Sequence, residues 1–349
     1  MPQSNVQQQF LSVNVTVDPQ VTPSLGFNAA LIMDATFSDS DVYRAYTSAA
    51  DAAADSDLST LAVAWVTAAF SQSKVPSTVY VIEYDSSGAD TYADAATDAE
   101  DAGLNWYYTC IESRAAADIV TIAGWASSRR KKVIAQSADA DWLTSGVPSG
   151  FSSLTTNNRH DRVYHPTDAQ ALDGAVAGFM AAIDLDNFPI SGRLRIQGIT
   201  TYSITSAQAA FARANFINTM EPATASSTTY LTFKGVTGTG EGSYVYIVKD
   251  WFESRTEDLI MADVVSLANQ GKPYPYGPAG GDLLEGAVVK QAKRGLSVGH
   301  FIGNTAYPDG YQFTRSYTDG TRTNTVSGVI VLQDEAGGLA VSVNFDRGV

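Results

Sequence analysis

The residues in this sequence best suited to chemistry are its three histidines, His160, His165 and His300. With Asp161 and Asp168 nearby, the first two could be imagined as ligands of a metal ion. Zinc sites, however, use three or four ligands at motif spacing, and the chain has neither a His-Glu-x-x-His motif nor a pair of cysteines. We therefore predict no metal and no cofactor, with His165 ending a strand and His160 in a loop.

Nucleophilic catalysis has equally few candidates. Cys110 is the only cysteine and lies in an apolar stretch, which predicts a small core residue. A catalytic serine would have to stand in a sharp strand-to-helix elbow, and we predict none. No catalytic residue is therefore predicted, and the chain is not expected to be an enzyme.

A glycine-rich run at 235–242, Gly-Val-Thr-Gly-Thr-Gly-Glu-Gly, comes nearest to a phosphate-binding loop. Such a loop stands between a strand and a helix, whose first amides meet the anion. We predict a strand on both sides of this run, and Glu241 would repel phosphate, so a tight hairpin turn is the better interpretation. Asp184, Asp186 and Asn187 resemble part of a calcium loop but lack its central glycine and distal glutamate, which favours a solvated turn.

The composition is that of an ordinary globular protein with an acidic bias. The 349 residues are 44% hydrophobic, which is enough for two domains with a core in each. With 22 basic against 37 acidic residues the net charge is -15, which disfavours nucleic-acid binding and helps a protein stay soluble at high concentration. We expect no signal peptide, no membrane span and no disulfide, and therefore synthesis in the cytoplasm.

Strands and helices are predicted to alternate along residues 26–183. Apolar runs predict buried strands at 30–33, 79–82, 106–111, 132–136 and 162–165. Apolar residues at helical spacing and alanine-rich segments predict helices at 58–70, 91–102, 115–127 and 168–183. This alternation predicts an α/β domain with a largely parallel sheet covered on both faces.

The second half is predicted to be a mixed α+β domain. Its predicted strands are 193–199, 230–233, 244–248 and 311–317, and its predicted helices are 206–220, 251–269 and 282–294. We place the boundary near Pro189. The predicted parts are an N-terminal linking arm (1–22), an α/β domain (23–189) and an α+β assembly domain (190–349) that includes a C-terminal linking strand (338–349).

Both ends of the sequence are patterned as strands with one apolar face. The alternating apolar residues are, at the N-terminal end, Leu11, Val13, Val15 and Val17, and at the C-terminal end, Leu339, Val341, Val343 and Phe345. Pro19 and Pro23 follow the first strand and favour an extended linker. The run 329–332 is apolar on both faces and predicts an anchor in the core. The end strands either pair within their own subunit or complete the sheet of a neighbouring one.

Three stretches, in order along nearly the whole chain, resemble a known family. The first comprises the opening strand, Phe-Asn-Ala-Ala-Leu-Ile at 27–32, Tyr-Arg-Ala-Tyr-Thr-Ser at 43–48, and Phe-Ser-Gln-Ser-Lys-Val-Pro at 70–76. The second is Tyr-Ile-Val-Lys-Asp-Trp at 246–251, leading into a helix that ends before Lys-Pro-Tyr-Pro-Tyr at 272–276. The third is the terminal strand pair. Together they resemble the sheath proteins of contractile bacteriophage tails.

The resemblance implies a structural protein of the virion. Its subunits would form six-membered rings stacked helically around a tail tube, with both end strands completing the sheets of neighbours. On a baseplate signal the sheath would contract and drive the tube through the host envelope. Implied partners are further copies of the chain, the tail tube, and the baseplate and tail terminator proteins, with no nucleic acid and no membrane. Assembly in the host cytoplasm is implied.

The resemblance also implies a placement for each part of the chain. The assembly domain and both arms would form the inner layer, and the α/β domain would lie outward. The chain is short for the family, which implies a minimal sheath. Two alternatives remain open: another tail component, such as tube or baseplate, and an enzyme on a doubly wound domain with its site at the carboxyl ends of the strands.

Overall fold

The computed structural model describes residues 13–16, 25–34, 37–38, 40–88, 90–144, 154, 157–190, 194–222, 231–233, 235–275, 277–318, 323–332 and 338–345. Its elements are, in chain order, β1 (Val13–Thr16), β2 (Ala29–Asp34), β3 (Tyr43–Tyr46), α1 (Ala49–Ala54), α2 (Thr60–Phe70), β4 (Val79–Tyr84), α3 (Tyr92–Asp101), β5 (Tyr108–Ile111), α4 (Ala116–Ser127), β6 (Lys132–Ser137), a 3-10 helix (Ala140–Leu143), β7 (His160–Tyr164), α5 (Leu172–Ala181), β8 (Leu194–Arg195), α6 (Ser206–Ala214), β9 (Ile217–Asn218), β10 (Glu221–Pro222), β11 (Leu231–Phe233), α7 (Ser243–Asn269), α8 (Pro278–Val298), β12 (Tyr311–Thr318), β13 (Thr323–Val331) and β14 (Gly338–Phe345).

The contacts between these elements divide the described residues into two compact units. The α/β unit holds residues from Leu25 to Asp184 and from 191 to 246. The terminal unit holds β1, residues 185–190 and the residues from 247 onward.

The α/β unit is built on a seven-stranded sheet in the order β3-β4-β2-β5-β6-β7-β9. Every neighbouring pair is parallel except β3 with β4. Helix α2 packs against α5 and α3 packs against α4, so helices cover the buried strands. The parallel sheet predicted from the alternation of strands and helices is confirmed.

Two glycines let α5 lie directly against α2. A Cβ atom on Gly178 would stand 2.4 Å from the Cα atom of Ala69, and one on Gly174 would stand 2.8 Å from the ring of Trp65. Both distances are shorter than van der Waals contact. A side chain at either glycine would therefore push the two helices apart.

The ends of α3 follow the signals in the sequence. Thr91 precedes the helix and accepts a hydrogen bond from the amide of Asp94, whose carboxylate accepts one from the amide of Thr91 at 2.8 Å. Gly103 follows the helix with a φ angle of 79°, a left-handed conformation that favours glycine. This capping box and this glycine explain why the helix occupies nearly the predicted range, 91–102.

The division between the units differs from the boundary predicted near Pro189. After that point the chain returns to the α/β unit, where β9 extends the large sheet by pairing in parallel with β7. The predicted strand at 193–199 is reduced to β8, which joins β11 and β10 in a small antiparallel sheet. The terminal unit resumes only at Ile247, inside α7.

The strand predicted at 244–248 is wrong, because these residues begin α7. Aromatic and β-branched residues favour a strand by propensity. In the helix, Val245, Val248 and Phe252 follow one another at helical spacing and are all buried. Burial of this face therefore outweighs local strand propensity.

The terminal unit contains a four-stranded sheet in the order β1-β14-β13-β12. The β13 pairings are antiparallel, whereas β1 runs parallel to β14. Helix α8 packs on this sheet, contacting β12, β13 and β14.

Candidate functional site

The two terminal strands lie side by side in this sheet. Strand β14 pairs with β13 over eight residues, and β1 pairs with β14 over four. Within β14, Val343 pairs with Val326 of β13 on one side and with Val15 of β1 on the other. The strands predicted at both ends are therefore confirmed, and here they pair with each other within one chain.

One face of the sheet is buried. Val326, Ile330, Val341 and Val343 are each at most 2% exposed. The intervening Ser327 and Ser342 are only half-buried. Burying a valine side chain contributes roughly 1.5–3 kcal/mol relative to leaving it exposed. This row of valines therefore supplies the energy that holds β14 in place.

The eight residues predicted to link subunits have different outcomes. Leu11 and Val17 lie outside the described residues, whereas Val13, Val15, Val341 and Val343 lie in β1 and β14. The register places Leu339 opposite Ile330 and Phe345 opposite Asn324. Exchange of these strands between subunits remains a prediction.

The strand that receives β14 was only partly predicted. The predicted anchor at 329–332 covers the end of β13, but the strand begins at Thr323. Asn324 and Val326, which face Phe345 and Val343, were missed. The β-branched residues Thr323, Thr325 and Val326, which favour a strand, were the available signal.

Helix α8 supports the β12–β13 hairpin from the buried side. A Cβ atom on Gly281 would stand 3.1 Å from the side-chain oxygen of Asn324, so the helix approaches β13 closely. On the neighbouring strand β12, Arg315 forms ion pairs with Asp282 and, at 3.8 Å, with Glu285 of the helix. Helix and hairpin together form a platform along which β14 lies.

The segment that resembles part of a calcium loop forms a turn held by arginine side chains. Asp186 accepts a hydrogen bond from the indole nitrogen of Trp251 at 2.8 Å and forms ion pairs with Arg255 at 3.1 Å and Arg294 at 3.3 Å. Burial alone would raise the pKa of Asp186, but these partners lower it below its usual value. Nearby, His300 is buried with Nε2 2.8 Å from the carbonyl oxygen of Leu185. This turn fastens 185–190 to α7 and α8.

The prediction that His160 lies in a loop is wrong, because it begins β7 and is fully buried. Beside it, Asp161 forms an ion pair with Lys132 of β6 at 2.8 Å and accepts a hydrogen bond from Ser243 in the first turn of α7. Burial, helped by the charges of Arg162 and Lys132, lowers the pKa of His160 to about 3. The imidazole is therefore neutral at pH 7, and this buried cluster fixes the start of α7.

The other residues that were considered as metal ligands do not join this cluster. His165 follows β7, as predicted, and its ring nitrogens lie 3.1 Å and 3.0 Å from the carbonyl oxygens of Thr167 and Thr200. Asp168 is exposed. Among the described residues, no group of three or more His, Cys, Asp or Glu side chains is placed to hold a metal ion.

The glycine-rich run forms a tight turn, but the strand predicted after it is wrong, because α7 follows. The amide of Thr237 donates to the carbonyl oxygen of Glu241, and the amide of Ser243 donates to that of Gly235, both at 2.8 Å. These amides are thus used within the turn. The Glu241 carboxylate accepts a hydrogen bond from the hydroxyl of Tyr246, which places negative charge where a phosphate would bind.

The prediction of no serine elbow overlooked one Gly-x-Ser-x-Gly match, at 295–299. These residues form the last turn of α8, and Gly299 ends the helix with a φ angle of 93°. A nucleophile elbow joins a strand to a helix, whereas this motif lies at the C-terminal end of a helix. Cys110 is fully buried, and burial raises the pKa of its thiol.

The carboxyl edge of the parallel sheet bears on the enzyme alternative. Asp34 ends β2 and Glu112 follows β5, its neighbour at the point where the strand order reverses. Glu112 accepts hydrogen bonds from the amide of Asp34 at 3.1 Å and from the hydroxyl of Ser59, while Asp34 accepts one from the hydroxyl of Ser86 at 2.7 Å. These carboxylates hold the surrounding loops together.

In the described part of the chain, no helix has the length and apolar character needed to cross a membrane.

Solved structures that share this architecture come from contractile tails and related particles. The sheath tail protein Lin1278 from Listeria innocua has a TM-score of 0.66 at 9% identity, covering 92% of this chain and 96% of its own. The helical sheath of the anti-feeding prophage in its contracted state has a TM-score of 0.59 at 12% identity, covering 99% and 97%. A chain of the anti-feeding prophage baseplate has a TM-score of 0.59 at 12% identity, covering 95% and 94%. No protein-family profile and no curated protein sequence matches the chain.

These structural similarities establish the fold of this chain. The chain has the fold of sheath tail proteins. Because the alignment with the contracted prophage sheath covers 99% of this chain, the shared fold includes both the α/β unit and the terminal unit.

Proposed function

We propose that this chain is the subunit of a contractile tail sheath, a structural protein that polymerises around a tail tube. The observation that carries the proposal is the terminal sheet, in which both ends of the chain meet on the platform of β12, β13 and α8. It is supported by the fold, which is that of sheath proteins over nearly the full length of the chain.

In the polymer, the terminal strands are exchanged between copies. Six residues, 332–337, connect β13 to β14, and eight residues, 17–24, follow β1. When β14 leaves its own β13 for that of a neighbour, it makes the same eight residue pairs and places Val341 and Val343 in the same buried positions. Exchange therefore keeps the strand's hydrogen bonds and buried side chains while it joins one copy to the next.

The finer features of a sheath are part of the proposal. Subunits form hexameric rings that stack helically, and the segment with Pro19 and Pro23 spans the distance between rings when they rotate. The terminal unit forms the inner layer against the tube, and the α/β unit faces outward. On a signal from the baseplate the sheath contracts and drives the tube through the host envelope, without nucleotide hydrolysis. The particle is assembled in the host cytoplasm, and a tail terminator protein closes it.

Electron microscopy of the purified protein tests this function. The wild-type chain is expected to form tubes or stacked rings. Deleting residues 1–22, or residues 339–349, is expected to abolish these polymers while circular dichroism still shows a folded monomer. A shorter deletion, 346–349, removes only residues beyond β14 and is the matched control that should still polymerise. A wild-type chain that never assembles, even on tail tubes, contradicts the proposal.

A second candidate is a component of the baseplate, favoured by the likeness to a chain of the anti-feeding prophage baseplate. A baseplate component forms a closed ring of fixed size, whereas a sheath subunit propagates into tubes of variable length. The same micrographs distinguish the two. Single rings that never stack at any protein concentration favour the baseplate.

A further inference from the structure

A row of basic residues follows one side of α8. Residues 286–298 contain Lys290, Lys293 and Arg294 and no acidic residue. All three side chains are exposed, and their spacing places them on one face of the helix. In a chain whose net charge is -15, this short basic segment is a local exception.

The basic row borders an open groove of about 470 Å³. Its six lining residues are Leu259, Lys290, Gln291, Lys293, Arg294 and Ser297, and we call this space the α8 groove. The volume lies within the range of small-molecule binding sites, about 300–1,000 Å³. The groove is therefore large enough to hold a small ligand.

Gln291 is the one buried residue among the six. Its side chain is 1% exposed, and its amide nitrogen Nε2 has no hydrogen-bond partner within the described residues. Buried amide groups are nearly always paired in folded proteins, so this donor requires an explanation. Because the last torsion of a glutamine is broad, the amide can turn a donor toward the groove that it lines.

The other polar groups of the groove also lack acceptors. Lys290 and Lys293 have no ion-pair partner within the described residues. Arg294 forms an ion pair with Asp186 at 3.3 Å, and the Ser297 hydroxyl donates to the carbonyl oxygen of Arg294 at 2.8 Å. The unpaired groups that line the groove are therefore donors, and two of them carry positive charge.

The helix dipole explains only part of this arrangement. It favours cations in the last turn of a helix, but Lys290 lies two turns from the end of α8. The dipole also gives no reason for the unpaired amide of Gln291. A ligand that accepts hydrogen bonds and carries negative charge accounts for both.

We propose that the α8 groove binds a multiply charged oxyanion, a phosphate or polycarboxylate group held by Lys290, Gln291 and Lys293. Lysine and the glutamine amide supply the donors, and the two charges favour an anion over a neutral acceptor. Arg294 lies one turn after Lys290, about 6 Å along the helix axis, so a compact anion can reach both ends of the row. This site goes beyond the sheath function and does not depend on polymerisation.

Isothermal titration calorimetry of the full chain tests the site, with pyrophosphate and citrate as probes at fixed ionic strength. The wild type should bind one equivalent, and the tighter probe shows whether the groove prefers phosphate or carboxylate. Lys290→Gln/Lys293→Gln removes both unpaired cations and should weaken binding at least about tenfold. Gln291→Met keeps the size of the side chain and both lysines but removes the donor, so it should weaken binding about tenfold.

The matched control is Lys74→Gln/Lys272→Gln, which removes the same two charges at exposed positions outside the groove and should bind like the wild type. Circular dichroism confirms that each variant is folded. The site is wrong if the wild type binds neither probe saturably, or if the control loses as much affinity as the lysine variant of the groove. Wild-type affinity in Gln291→Met would also overturn it, because binding would then reflect surface charge alone. Polymerisation is observed separately in micrographs, so failure of the anion site leaves the sheath function standing.

Discussion

Replacing Val343 by alanine tests how strongly β14 is held. Val343 is 0% exposed and stands opposite Val326 in the central row of the terminal sheet. Alanine removes two methyl groups, which at about 0.8 kcal/mol each amounts to about 1.6 kcal/mol. The cavity left behind adds to this loss, so we expect the free energy of unfolding to fall by about 2 kcal/mol.

The same loss is expected in the closed monomer and in the polymer, because exchange places Val343 in the same buried position in both. The two losses cancel in the equilibrium between them, so the concentration at which polymers form should stay close to that of the wild type. Urea unfolding measures the first effect, and the concentration at which light scattering appears measures the second. Ser342→Ala is the control, since this neighbour is half-buried and its change should stay within about 0.5 kcal/mol. An unchanged stability in urea, or a polymerisation threshold more than about tenfold above that of Ser342→Ala, would refute the reasoning.

Three further predictions concern the α/β unit. Lys132→Met leaves the buried carboxylate of Asp161 without its cation, so urea unfolding should show a loss of about 3–5 kcal/mol, and an unchanged stability would contradict the ion pair. The pKa of His160 is held at about 3 in the folded protein, so only the unfolded chain protonates this imidazole as the pH falls below about 6.5. The free energy of unfolding should therefore decline by roughly 1.4 kcal/mol per pH unit below that pH, and less steeply in His160→Gln. In thermal unfolding, Gly178→Ala should destabilise by about 1–3 kcal/mol through its clash with α2. By contrast, Gly124→Ala, with open space around it, should stabilise α4 by up to about 1 kcal/mol; the reverse order would contradict the packing.

The parts of the fold that could be predicted are those whose pattern is local. The buried strands β2, β4 and β6 are short apolar runs, and each lies within a residue or two of its predicted range. The alternation around Val341 and Val343 likewise predicts a strand with one buried face, which the structure confirms. In each case the residues that bury the element are contiguous in the sequence.

The parts that could not be predicted depend on distant residues. Tyr244 to Val248 have strand propensity, yet they begin α7, whose first turn is fixed by Asp161 from β7. The compact units divide the chain differently from the boundary predicted near Pro189, because β9, a strand of only two residues, returns the chain to the large sheet. Such a short strand leaves almost no periodic signal.

The candidate site shows the same limit. The sequence gives two strands with matching apolar faces, but it does not state that β1 runs parallel to β14 or that Val15 faces Val343. The buried position of His160 was missed because histidine is a polar residue type that is expected at the surface. In the structure, burial beside Arg162 and Lys132 keeps its imidazole neutral. Pairing and protonation are both set by the three-dimensional neighbours.

The most direct test of the central claim is a disulfide between β13 and β14. Ser327 and Ser342 face each other across the two strands, and partners in an antiparallel pair have Cα atoms about 4.5–5.5 Å apart, within the range that a disulfide spans. The native Cys110 is buried and does not compete. Polymers of Ser327→Cys/Ser342→Cys are oxidised, dissolved in detergent without reductant and separated by size. Strand exchange predicts a covalent ladder of dimers, trimers and longer chains; a single monomer band with a closed internal disulfide would contradict it.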